Sequence, residues 1–239
     1  MGDLPSRTDR GLPTLVQRYL DRVVSPDAPL AGQVLLRQTG EMFRKPGARA
    51  MHFTATERLA VDRVAFSWVA RFRIAPLLSL VVRDGYAHGR GMLNVRALGF
   101  SLQTRSGPEV DVGEAYRYLA ELPWVPYALA ANQDLEWRHV DERTVDVATA
   151  VGDRRPAVRI EFDAAGDIVR CSADGRPRDA DGSSVPTRWG GELSQYTPLD
   201  GMRIPTYGEV YWDLAEGRFV YWRGHITAAR ALAEPFEPP

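Results

Sequence analysis

The chain has a single cysteine, Cys171, in 239 residues. No intrachain disulfide can form, and no cysteine-based zinc site can be built. Lysine is almost absent: Lys45 is the only one, and arginine carries the positive charge. His52, His88, His139 and His225 lie far apart, with no HExxH or His-x-His spacing, so no metal is expected. No apolar run approaches the roughly 18 residues of a membrane span, so stable membrane insertion is not expected. Met1 to Pro13 lack the apolar stretch of an export signal, which makes the cytoplasm the expected location. A net charge of −1 offers no overall field for nucleic acid or an anionic membrane. Arginine forks suit phosphate or carboxylate recognition, but here arginine is scattered along the chain, as a GC-rich coding sequence also produces.

Catalytic signatures are missing too. There is no G-x-S-x-G elbow and no Walker loop. His88-Gly89-Arg90-Gly91 offers G-x-G without a third glycine, between strands rather than opening a helix, so no dinucleotide and no other cofactor is expected. Cys171 sits in a strand with no histidine nearby in sequence and reads as a buried, inert thiol.

What is present is ordinary globular composition, 44% apolar and 26% charged, and one domain is expected over residues 1–239. Residues 1–11 and 234–239 read as flexible ends. Leu12, Leu15, Val16, Tyr19, Leu20, Val23 and Val24 recur at helical spacing between Pro13 and Pro26. From Gln33 to Gln103 the apolar period becomes two, as in Phe66, Trp68, Ala70, Phe72 and Ile74. Strands are expected over 33–44, 50–61, 66–74, 78–88 and 91–103. Asp111 with Glu114 then reads as a capping-box helix start, and Pro123 as its stop. Strands resume over 134–140, 143–151, 155–163, 167–173, 187–197, 203–214 and 218–228. Residues 174–185 are polar and glycine-rich, and predict a mobile loop. So much sheet with so little helix predicts a mainly β fold: an antiparallel wrapped sheet, barrel or half-barrel, around a hydrophobic pocket.

The last hairpin is the most informative segment. Ala215-Glu216-Gly217 predicts a three-residue loop with Leu214 opposite Arg218. Counting on from there sets Trp212 opposite Val220, Tyr211 opposite Tyr221, Val210 opposite Trp222, Glu209 opposite Arg223 and Tyr207 opposite His225. One face then carries Tyr207, Glu209, Tyr211, Tyr221, Arg223 and His225. Such a face is either a pocket wall with an acid–base group or a solvated surface with a favourable Glu–Arg pair. Asp84, Tyr86 and His88 alternate onto another strand face. Indoles such as Trp68, Trp124, Trp212 and Trp222 fill a core or wall a cavity for a hydrophobic ligand.

Several segments match a known pattern: Leu12-Pro13 with Val16-Gln17-Arg18-Tyr19-Leu20, Gly107-Pro108-Glu109-Val110-Asp111, Arg117-Tyr118-Leu119-Ala120-Glu121 with Pro123-Trp124, and Met202-Arg203-Ile204-Pro205-Thr206 through Glu209-Val210. The chain resembles a bacterial family of unknown function, which implies no activity and no site residue. The layout also looks like the half-barrels of bacterial lipoprotein carriers (LolA-like) and of a cofactor-free enzyme of violacein biosynthesis (VioE-like).

The expected function is therefore a cofactor-independent enzyme, such as a cyclase or isomerase, acting on a hydrophobic small molecule. Glu209, Arg223, Tyr211, Tyr221 and His225 are its candidate catalytic residues. Trp68, Arg71, Tyr86, His88, Trp124, Tyr207, Trp212 and Trp222 are its candidate ligand contacts. The alternative is a non-catalytic binder or carrier of a lipid or other apolar ligand. The expected partner is that small molecule and no nucleic acid, and a homodimer stays open.

Overall fold

The computed structural model describes residues 11–238, apart from 27, 29, 76, 77 and 181. The expected flexibility of residues 1–10 lies outside the described residues. Helix α1 (Thr14–Val23) precedes six strands: β1 (Gln33–Met42), β2 (Met51–Ala60), β3 (Phe66–Ala75), β4 (Leu78–Ala87), β5 (Arg90–Ala97) and β6 (Phe100–Ser106). Helix α2 (Pro108–Glu121), a 3-10 turn (Leu122–Trp124) and helix α3 (Pro126–Ala131) follow. The chain then adds β7 (Glu136–Asp141), β8 (Thr144–Ala148), β9 (Ala157–Phe162), β10 (Ile168–Ala180), β11 (Ser183–Leu199), β12 (Met202–Leu214) and β13 (Gly217–Leu232).

The 13 strands form one antiparallel sheet in the order β6-β5-β4-β3-β2-β1-β13-β12-β11-β10-β9-β8-β7. Its centre is the β1–β13 pairing, which runs from Gln33↔Leu232 to Met42↔Trp222. The sheet is open, with β6 and β7 at its edges. It curls around α2, and Arg105 on β6 reaches an ion pair with Asp179 at the far end of β10. Period-two alternation supplies the inner face. On β2, Phe53, Ala55, Glu57 and Leu59 are buried while the residues between them are exposed.

The inner face is filled along much of its length. Instead of walling an open cavity, Trp68, Phe53, Trp222 and Trp124 pack in sequence, with neighbouring ring centroids 5.7–6.0 Å apart. Glycine makes room for them: a Cβ on Gly224 would lie 2.3 Å from the Trp222 ring.

Three local expectations need correction. The helix begins at Pro108, not at Asp111, because Gly107 (φ 114°) turns the chain one helical turn earlier. Asp111 is thus inside the helix and accepts from the Gly91 amide (2.7 Å). Residues 174–185 are not a loop. They belong to β10 and β11, paired from Arg176↔Thr187 to Ala180↔Ser183, with Gly182 (φ 86°) in the turn. Their polar composition reflects an arm that runs beyond the core, where neither face is fully covered. The chain end is also held: Phe236 is buried against Ala60 and Ala65, and Gln33 donates to the Glu234 and Pro235 carbonyls.

Candidate functional site

A cluster of buried charge lies between α2 and the inner face of β2–β4. Alternation along β2 points Glu57 inward, and alternation along β4 does the same for Asp84 between Val82 and Tyr86. On α2, Glu114, Arg117 and Glu121 form a stripe at helical spacing that faces them. Arg117 donates to three carboxylates: Nη2 to Glu57 (2.8 Å), Nη1 to Asp84 (2.7 Å) and Nε to Glu121 (2.8 Å). Its guanidinium also lies 4.7 Å from the Phe66 ring centre and 5.1 Å from that of Trp68. Behind Glu57, Gln38 donates to Oε2 (2.6 Å) and accepts from the Trp68 indole (2.8 Å). These bonds orient the carboxylate from both sides.

Four carboxyl groups face Arg117 and Arg176 here, so the cluster cannot be neutral with every acid ionised. Burial raises Glu57, Asp84 and Glu121, and Arg117 opposes that rise in each. Glu114 is pushed up to about 8, first by burial and then by the charge on Asp84. It holds a proton at neutral pH. Asp84 Oδ1, Glu114 Oε2 and Glu121 Oε2 are buried without a hydrogen-bond partner, and such atoms are costly unless something completes them.

The β10–β11 arm closes over this cluster. Arg176 lies 4.3 Å from the Trp189 ring centre and 5.6 Å from that of Trp212, donates to the Gly113 carbonyl (3.1 Å), and bonds Tyr221 Oη (3.3 Å). Trp189 donates to the same phenol (3.0 Å). Ser184, near the arm's tip, donates to Glu109 on the first turn of α2.

The residues expected from the last hairpin divide between two faces. Glu209 and Arg223 are indeed opposite one another and ion-paired (3.1 Å), and Tyr207 is opposite His225. Nearer the turn the expected register fails. The turn has two residues, so Leu214 pairs with Gly217, and a bulge between Val210 and Tyr211 absorbs Tyr221 as an extra residue. Tyr221 therefore turns inward, stacked 6.0 Å from Trp212. Tyr207, Glu209, Tyr211, Arg223 and His225 stay on the outer face. Tyr207 donates to Glu209 (2.5 Å), and Arg218 covers the Tyr211 ring. Tyr207 and Glu209 line a shallow cleft of about 300 Å³ with Glu161, Arg170 and Glu192. Tyr221 faces the other way and Arg223 is 44% exposed, so the six residues do not share one wall.

Among the expected ligand contacts, Trp68, Trp124, Trp212 and Trp222 are inward. Trp124 donates to the Pro205 carbonyl (2.9 Å). Arg71 points outward from β3 and is exposed. Tyr86 and His88 line a separate cleft of about 400 Å³ with Arg63, Gln133 and Asp134. Cys171 is buried, and burial raises its thiol pKa.

Glu57, Glu114, Arg117, Glu121 and Arg176 were not among the expected site residues. One signal for Glu57 and Asp84 was available: each interrupts an apolar period-two row at a core position. Glu114 was misread as a cap because the helix start was placed too late.

A model of a family of unknown function, DUF6544, matches residues 6–224. The chain belongs to that family. No curated protein matches it. Among solved structures, it is similar to the LolA superfamily protein NE2245 from Nitrosomonas europaea (11% identity, 94% of this chain and 93% of that one, TM-score 0.43). It is also similar to a putative outer membrane lipoprotein-sorting protein domain from Vibrio parahaemolyticus (9%, 90% and 90%, TM-score 0.49). A third is a DUF1329 family protein from Desulfovibrio piger (10%, 91% and 90%, TM-score 0.48).

Proposed function

We propose that the protein binds an apolar small molecule with one polar end, without transforming it, at the open end of its concave face. One observation carries this reading: a half-covered apolar row that runs down to buried carboxyls with unused hydrogen-bonding atoms. The row is continuous through strand pairing. Val82 pairs with Ala70, Leu80 with Phe72, Phe72 with Phe53, Met51 with Met42, Met42 with Trp222 and Trp222 with Val210. Met42, Met51, Leu80, Val82 and Val210 are only half-buried. Beneath them Asp84 and Glu114 keep unpartnered oxygens. An apolar wall with a few polar groups at its base is the general form of a small-molecule site.

The test is native mass spectrometry of the whole chain with fatty acids and fatty amines. The expected result is one saturable ligand per chain, bound at least about tenfold more weakly by Met51→Asp. Absence of saturable binding to either class, or indifference to Met51→Asp in a folded protein, would overturn the reading.

A second reading, cofactor-free acid–base catalysis such as a cyclisation or isomerisation, is favoured by the protonated Glu114 beside Asp84. It requires that a bound ligand be consumed, and that Glu114→Gln bind it without turnover.

A further inference from the structure

The net charge of −1 conceals a strong segregation. Residues 37–106 hold twelve basic and four acidic side chains, a net of +8, against −9 for the rest of the chain. The expectation that no field attracts an anionic membrane overlooked this asymmetry. In three dimensions the positive charge has a definite place. Arg71 and Arg73 on β3, Arg83 on β4 and Arg96 on β5 point outward. Pairing of Arg71 with Val81, Val81 with Arg96, and Val69 with Arg83 puts them on one patch of the sheet. None of the four has a carboxylate partner among the described residues, and Arg96 donates only to the Gly99 carbonyl (2.7 Å). From residue 64 to 106 the one acid is Asp84, which faces inward to Arg117.

At the end of the same strands the side chains are apolar and uncovered. Leu98 is 75% exposed, Phe100 75%, Leu102 62% and Ile74 46%. The β3–β4 and β5–β6 connections lie at one end of the sheet, since Ala75 pairs with Leu78, and Leu80 with Ala97. The exposed turn bearing Arg44, Lys45 and Arg49 joins them there, because Met42 pairs with Met51 and Phe53 with Phe72.

We infer that this end of the β3–β6 sheet docks on the surface of an anionic lipid bilayer. The apolar tips enter the headgroup layer, and the outward arginines meet the anionic headgroups. Only one partner suits both halves of the surface. Arginine alone would suit a nucleic acid, but of the four exposed tips only Phe100 offers a stacking surface for bases, and Leu98, Leu102 and Ile74 are aliphatic. The apolar tips alone would suit a second copy of the chain, but paired basic patches would repel. An interfacial membrane accepts both features. The docking is peripheral: no helix among the described residues is long and apolar enough to cross a membrane. It stands independently of whether the concave face binds a ligand.

The test is co-flotation of the full chain with vesicles of phosphatidylcholine alone or mixed with phosphatidylglycerol. Partitioning should be at least about tenfold stronger on the mixed vesicles and should fall with salt. Leu98→Ser with Phe100→Ser should lower it about tenfold, and Arg71→Gln with Arg73→Gln, Arg83→Gln and Arg96→Gln should abolish the preference for phosphatidylglycerol. All six side chains are exposed, so the melting temperature of each variant should match the parent. Equal partitioning on both vesicles would overturn the inference. So would binding to a duplex oligonucleotide but not to vesicles, or self-association in ultracentrifugation that the same substitutions remove.

Discussion

Two of the molecule's arginine–glutamate pairings have nearly equal geometry and very different surroundings. Arg117 and Glu57 meet at 2.8 Å inside the curl of the sheet, with the glutamate fully buried. Arg223 and Glu209 meet at 3.1 Å on its outer face, with side chains 44% and 28% exposed. The inner pair is one corner of a network in which burial raises every carboxyl group and a single guanidinium offsets three of them. The outer pair is screened by water and salt. Residue type and spacing describe both pairs equally well, and the dielectric around them separates their chemistry.

The largest expected effect on that contrast comes from Arg117→Met. Removing the cation strands Glu57, Asp84 and Glu121 in a buried setting, and should cost about 3–5 kcal/mol in urea unfolding. A loss below about 1 kcal/mol would mean that the carboxyls escape their charge more easily than the geometry implies. Next in size is a pH effect centred on Glu114. Its folded pKa, about 8, lies above its ordinary value of 4.5, so the folded state binds the proton more tightly. That stability is fully present below about pH 4.5 and declines as pH rises toward 8, by an amount on the order of a few kcal/mol. Glu114→Gln should flatten this slope in a series of thermal melts and leave the variant the more stable at the alkaline end. A parent curve that is already flat between these limits would place the proton elsewhere in the cluster. The smallest effect belongs to Glu209→Gln on the outer face, at most about 1 kcal/mol and diminishing with added salt. Loss of ligand binding in that variant would return the outer face to consideration as a site.

Much of the fold is legible in the residues themselves. Strict period-two rows placed β1 to β4 within two residues of their observed ends, and Glu209 opposite Arg223 followed from counting back along the last hairpin. Where legibility failed, a cause can be named. At Ala215-Glu216-Gly217 the glycine sequence admits either a two- or a three-residue turn. The bulge at Tyr221 repays the difference, so distant pairs came out right and near ones wrong. The 174–185 arm has no apolar period because it projects beyond the core, and its strand character comes from pairing with itself. The inner cluster was hidden for a different reason. Glu57 and Asp84 stand on strands, Glu114, Arg117 and Glu121 on a helix, and Arg176 on the arm.

Alternation of apolar and polar residues by itself determined that this chain would be an antiparallel sheet with one buried face, because side chains of an extended strand must point alternately to opposite sides. Turn residues determined most of the breaks between strands. Which charged residues share a low-dielectric interior was decided only by the curl of the sheet around α2. So was the gathering of scattered arginines from β3, β4 and β5 onto one outer patch above apolar tips. Electrostatic energy depends on distance through space and on exclusion of water, and neither quantity is written in the order of residues along the chain.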